Sequence, residues 1–211
     1  ENLVNARPDL IISQDICEVC SAHTDHVKRA MDILEKKPDV YTMNPHDIDE
    51  ILKSIEEISK KIDREKEGAS LVDSLRKRVR FVKDQDFEKI PRVAAIEWID
   101  PFFTSGHWVP EMIEIAGGKN LISSEKMPSR KMQLEEIRDA DPDVIVIMPC
   151  GFDVKRTIDE YNKTLAENKE WNNLRAVKEN NVYAVDANSY FSKPSLRTVT
   201  GIEILASIFH P

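Results

Sequence analysis

Between His46 and Asp84 apolar residues recur in steps of three and four: Ile48, Ile51, Leu52, Ile55, Ile58 and Ile62, then, after a slip near Gly68, Leu71, Leu75, Val79 and Val82. That spacing lays one apolar stripe along an α-helix. A strand cannot present it, because strand side chains alternate with period two. Asp47, after the Asn44-Pro45 turn, supplies an N-cap. Read as one helix or two nearly collinear ones, the stretch covers about 35 residues and roughly 50 Å at 1.5 Å per residue. A rod of that length exceeds the width of a small domain, so it predicts two lobes braced by one long helix within residues 47–90. The charges on its other faces, Glu56, Lys60, Lys61, Arg64, Arg76 and Arg78 among them, read as a solvated surface.

On both sides of that rod, strands alternate with helices. Leu10-Ile11-Ile12-Ser13 after Pro8, and residues 38–43, read as short strands, with a helix predicted over 24–34. A second block follows Pro91. It predicts strands over 92–99, 143–148 and 181–185 and helices over 109–116, 134–140, 154–167, 171–178 and 195–209, with Gly117-Gly118 closing the first of these through a left-handed cap. Alternation of this kind implies parallel sheets packed between helices, an α/β fold. The expected organisation is a partial N-terminal α/β lobe over 1–46, the connecting helix over 47–90 and a C-terminal α/β lobe over 91–211.

Composition excludes several functions. With 30 basic and 38 acidic residues the chain carries a net charge of −8, the wrong sign for displacing counterions from duplex nucleic acid. Six glycines stand too far apart to write either a dinucleotide-binding or a P-loop glycine pattern, so a phosphate cradle is not expected. No apolar run approaches the ~18 residues of a membrane span. The sequence opens at Glu1 with neither Met nor a leader-like stretch, which reads as a processed or partial chain.

Parallel α/β sheets place ligands at the carboxyl ends of their strands. Gln14 and Asp15 follow the first strand; Trp98, Asp100, Phe102, Phe103, His107 and Trp108 end or follow the strand at 92–99; Cys150 follows the strand at 143–148; Tyr190 and Phe191 follow the strand at 181–185. Aromatic loops of this kind either pack inward or face a large apolar ligand. Cys17, Cys20, His23 and His26 spell C-x2-C-x2-H-x2-H, the donor set of a zinc site, and a small zinc-dependent enzyme is the alternative reading. On a continuous helix, steps of three turn successive donors by ~300°, so the four converge only if the helix unwinds between Cys20 and Ala22. There is no G-x-S-x-G and no H-E-x-x-H, and no catalytic residue is assigned. Glu135-Glu136 read as helix-start charge favoured by the macrodipole.

The segment Pro101-Phe102-Phe103-Thr104-Ser105-Gly106, the helix ending in Ala116-Gly117-Gly118-Lys119-Asn120-Leu121-Ile122, then Pro128-Ser129-Arg130, Leu134-Glu135-Glu136-Ile137, Asp141-Pro142-Asp143-Val144 and Tyr190-Phe191-Ser192-Lys193-Pro194 together resemble the C-terminal lobe of the vitamin B12-binding protein family. These are substrate-binding proteins of ABC importers, related to siderophore and haem binders. Residues 1–11 resemble a helix-to-strand step of that family's N-terminal lobe. The resemblance implies two Rossmann-like lobes joined by one rigid helix, here with an incomplete N-terminal lobe that a further strand–helix portion before Glu1 would complete. It implies a binding protein and not an enzyme, without a cofactor of its own, working as a monomer outside the cytoplasmic membrane, periplasmic or lipid-anchored, and delivering a corrinoid such as cobalamin to an ABC permease. An iron siderophore or haem is the alternative ligand. Gln14, Asp15, Trp98, Asp100, Phe102, Phe103, His107, Trp108, Arg130, Tyr190 and Phe191 then fall at the ligand cleft, with Glu135 and Glu1 at the permease-docking positions. Ser129-Arg130 stands where the B12 binder has a tryptophan, a departure from the corrinoid pattern.

Overall fold

The computed structural model describes residues 2–16, 31, 34 and 36–211. Glu1, the Cys17/Cys20/His23/His26 cluster and nearly all of the helix expected over 24–34 lie outside the described residues. A short helix α1 (Asn2–Ala6) leads into strand β1 (Leu10–Gln14), which pairs in parallel with β2 (Asp39–Met43), Leu10 opposite Asp39 and Gln14 opposite Met43.

The long apolar stripe folds into two helices, α2 (Ile48–Lys61) and α3 (Glu65–Lys83). Asp47 caps α2 by accepting the Glu50 N–H. The far end of α2 closes with a left-handed residue, Asp63 at φ +56°. There Asp63 N–H donates to Lys60 O at 3.3 Å and Arg64 N–H to Ser59 O at 2.7 Å, the pair of bonds that ends a helix and redirects the chain. Redirection is complete, because Arg76 Nη1 reaches Glu56 Oε1 at 3.1 Å, although collinear helices would hold residues twenty apart some 30 Å from each other. Gly68 permits the fold-back: a Cβ there would stand 2.1 Å from Ser59 Oγ. The single rod expected over 47–90 is therefore a helical hairpin, and the rigid connection between lobes is the 19-residue α3. Periodicity alone could not show this, since Ile62 and Leu71, which continue the stripe across the break, are exposed.

Beyond the hairpin, β3 (Arg92–Ile99), β6 (Val144–Ile147) and β7 (Val182–Ala184) form parallel neighbours in one sheet. On the other side of β3, β4 (Phe102–Thr104) pairs antiparallel with its carboxyl end and β5 (Lys119–Asn120) parallel with its start. The short loops before and after these strands build helices α4 (Val109–Ile115), α5 (Leu134–Ala140), α6 (Val154–Thr164), a 3-10 turn at Trp171–Asn173, α7 (Arg175–Lys178), α8 (Ala187–Tyr190) and α9 (Arg197–Phe209). Gly117, at φ +78°, closes α4 through the same pair of bonds seen at Asp63, as its sequence predicts.

β3 is apolar on both faces because the sheet is covered on both. Val93 and Ala95 face one core, shared with α4, α9 and the hairpin residues Ile51, Leu52, Val72 and Leu75. Ala94 and Ile96 face the other, with Ile137, Trp171 and Leu174. Where the hairpin meets α9, Arg78 grips Glu203 with two bonds, at 2.8 and 2.6 Å, and Thr200 Oγ1 at 2.9 Å. A partly exposed bidentate pair contributes about 1 kcal/mol. A double-mutant cycle between Arg78→Ala and Glu203→Ala is expected to return a coupling of that size in urea unfolding, and a coupling near zero would show that apolar packing alone seats α3 on α9.

Candidate functional site

The carboxyl ends of β1, β3 and β6 point into one open cavity of about 480 Å³. Gln14 and Ile16 bound it from the β1 side; Glu97, Trp98, Phe103, His107, Trp108 and Phe191 form most of the opposite wall. This is where parallel sheets leave room, since the chain departs each strand there to cross to the next element.

Each wall residue is fixed by something behind it. Trp98 donates its indole N–H to Asp100 O at 3.1 Å and sets its ring edge-on to Phe152, with centroids 5.3 Å apart, while 37 % of the residue stays exposed. Trp108, nearly buried, donates Nε1–H to Phe191 O at 3.1 Å and so ties the loop after β4 to the end of α8. His107 sits at φ +55°, a strained conformation for a side-chain-bearing residue. Its backbone is held on both sides, N–H donating to Met127 O at 2.7 Å and O accepting from Lys126 N–H at 3.1 Å. Burial, and then the facing His46 with ring centroids 6.2 Å apart, keep the His107 imidazole below the usual histidine range, so it is neutral at pH 7. Gly106 lies against the same 127–129 segment so tightly that a Cβ would meet Ser129 N at 2.3 Å and Pro128 C at 2.8 Å.

Glu97 is the one acidic side chain among the described lining residues, and no Lys or Arg lines the cavity among them. Burial in this apolar wall raises its carboxyl to a pKa of about 7, opposed by a hydrogen bond from the Gly106 N–H. The signal for it was in the sequence, a lone carboxylate closing the apolar run Val93-Ala94-Ala95-Ile96, but it carries weight only once the strand's end is known to open on a cavity.

Of the residues expected at the cleft, Gln14, Trp98, Phe103, His107, Trp108 and Phe191 line this cavity together. The others stand elsewhere. Phe102, one residue from Phe103 on the same strand, points to the opposite face and stacks on Trp171 with centroids 5.9 Å apart. Arg130 turns away and pairs with Glu136 Oε2 at 2.8 Å. Asp100 is exposed beyond Trp98, Asp15 is exposed at the end of β1 with its N–H on Met43 O, and Tyr190 packs on the core beside α9. Glu135 is exposed in the first turn of α5, whereas Glu136 caps that helix by accepting from Gln133 N–H at 3.0 Å. Ile16, Glu97, Pro101, Gly106, Val109, Ser129, Cys150 and Ser192 complete the described lining without having been singled out as ligand contacts in the sequence. Among the described residues no group of three or more His, Cys, Asp or Glu side chains could hold a metal ion, and no helix is long and apolar enough to cross a membrane.

A family model described as "Periplasmic binding protein" matches residues 1–189. The high-affinity heme uptake system protein IsdE of Staphylococcus aureus (strain Newman) is 24% identical over 141 residues, covering 64% of this chain and 47% of that protein. The chain thus spans about half the length of the curated relatives it matches. Among solved structures, an ABC transporter substrate-binding protein from Listeria monocytogenes EGD-e superposes with a TM-score of 0.80 at 20% identity, covering 99% of this chain and 79% of that one. The periplasmic vitamin B12 binding protein BtuF of Vibrio cholerae gives 0.71 at 21%, covering 99% and 76%. At these identities the likeness is one of fold.

Proposed function

The chain belongs to the periplasmic binding protein family, and from that premise we propose that it is the substrate-binding component of an ABC importer that captures a corrinoid, or a metal chelate of similar bulk, and hands it to a permease outside the cytoplasmic membrane. The observation that carries this reading is the cavity at the strand ends, walled by Trp98, Phe103, Trp108 and Phe191 and faced across the opening by Gln14 and Ile16. Its volume and apolar lining suit one face of a broad, flat ligand, with a few polar groups to orient it. Glu135, exposed at the start of α5, supports an acidic contact for basic permease residues.

Titration with hydroxocobalamin, ferrihaem and a ferric hydroxamate, followed by tryptophan fluorescence, tests the reading, because two of the three tryptophans line the cavity. Corrinoid quenching that saturates at one equivalent is expected. Trp98→Ala and Phe103→Ala are each expected to weaken that binding about 10- to 100-fold, the effect of removing one aromatic anchor. Saturable haem binding without corrinoid binding would move the ligand while keeping the carrier. That second reading is supported by the neutral imidazole of His107 on the cavity wall, a group suited to haem iron. It predicts a haem Soret band that shifts in His107→Ala.

A further inference from the structure

We propose that Glu97 decides which chelates the cavity accepts: its carboxylate receives an N–H from the ligand's edge, so that a ring edged with carboxamides is taken and the same ring edged with carboxylates is refused. This rests on the chelate-binding reading above and specifies the ligand class within it. The placement carries the inference. Glu97 is held at the carboxyl end of β3 on its own backbone, its carbonyl accepting the Cys150 N–H at 3.1 Å, so the side chain is presented by the sheet and not by a loose loop. Its immediate neighbours along the wall are Trp98 and the Gly106–His107 turn. One N–H, from Gly106, is directed at the carboxyl. A carboxylate has room for about four such bonds, and among the described residues no other donor meets it. A carboxyl set in an apolar wall is costly to ionise unless a donor meets it, and the lining offers no Lys or Arg among the described residues to do so. A ligand carboxylate would meet a like charge there, whereas a ligand amide would supply the missing donor. Among the described residues the other titratable groups bordering the cavity are His107, on the turn after β4, and Cys150, after β6, with Asp15 exposed beside Gln14 at the end of β1. Of these, burial and then the facing His46 hold the His107 imidazole below the usual histidine range.

The test is a matched pair of corrinoids: dicyano-cobyrinic acid, with its edge carboxylates free, and its fully amidated counterpart, titrated into the wild-type protein and Glu97→Gln at pH 8 and pH 6. Glutamine keeps an oxygen for the Gly106 N–H and removes only the charge. Circular dichroism and thermal melting verify that the variant is folded. The wild type is expected to favour the amidated ring by about tenfold or more at pH 8, with most of the preference gone at pH 6, where the carboxyl takes up its proton. Glu97→Gln is expected to show little preference at either pH. An unchanged preference in Glu97→Gln would overturn the assignment and leave Glu97 as a support for the Gly106 turn. If the wild type binds neither corrinoid but binds haem, the corrinoid reading fails. The assignment is then decided by ferrihaem against its propionate diamide in the same two proteins, with the same expected pattern.

Discussion

Trp171→Ala is expected to lose about 3–5 kcal/mol of stability, seen as a lower urea midpoint with an unchanged slope. The indole is fully buried between the sheet and α6. One face stacks on Phe102, its edge meets the Tyr161 ring, and Nε1–H donates to Tyr161 Oη at 3.1 Å. Truncation therefore removes a large apolar volume from a site walled by a sheet, where collapse is limited, and also takes a partner from the Tyr161 hydroxyl. Trp171→Phe separates the two effects: it retains most of the apolar contact and is expected to lose far less. A loss under about 1 kcal/mol in Trp171→Ala would mean that the 3-10 turn repacks freely. The cavity should register the change as well. Phe102 and Phe103 occupy opposite faces of β4, so releasing Phe102 from Trp171 loosens the strand that presents Phe103 to the ligand.

Glu97→Gln has its largest effect on the empty protein above neutral pH, where it is expected to be more stable than the wild type by about 1–3 kcal/mol. The folded carboxyl titrates at about 7 against 4.5 when unperturbed, with burial as the main cause. Between those values the folded state holds a proton that the unfolded state has released. Wild-type stability consequently falls as pH rises from 4.5 to 7 and stays lowered above that, while the glutamine variant does not share the fall. Partial exposure of the side chain to the open cavity keeps the difference toward the lower end of the range. Urea unfolding at pH 4.5 and pH 8 measures it. A gap of the same size at both values would refute the assignment of the perturbed carboxyl to Glu97. Together with the ligand test, the outcome expected is a protein that is more stable and less selective, a trade familiar from binding sites that hold a group under tension.

The sequence was most informative where one local rule decides the structure. β1, β6 and α5 fall where the apolar runs and the helix start place them, and Gly117 ends α4 because glycine enters the left-handed region at little cost. It was least informative where the decision belongs to a distant partner. The turn at Asp63 is written in an aspartate instead of a glycine, so the break between α2 and α3 passed as a slip within one helix or between two nearly collinear ones. β4 read as an aromatic loop that packs inward or faces a ligand, because nothing local reveals its pairing with β3, and that pairing sends Phe102 to the core and Phe103 to the cavity. Arg130 looked like a rim cation until Glu136 was found beside it. Glu97 was passed over for the opposite reason: its neighbours are ordinary strand residues, and its environment exists only after β1, β3 and β6 end at one place.

The hairpin is fastened to the C-terminal half at two well-separated places. At the start of α2, Lys126 Nζ pairs with Asp47 at 2.8 Å and Ile48 N–H donates to Glu111 Oε2 at 2.8 Å; well along α3, Arg78 holds Glu203 and Thr200. The same hairpin carries β2, through Tyr41 Oη–H on Glu57 and Lys61 on Asp39. Between these polar fastenings the hairpin is sunk into the shared core through Ile51, Leu52, Val72 and Leu75, so the β1–β2 sheet that rides on it presents Gln14 and Ile16 to the cavity from an element seated along its length.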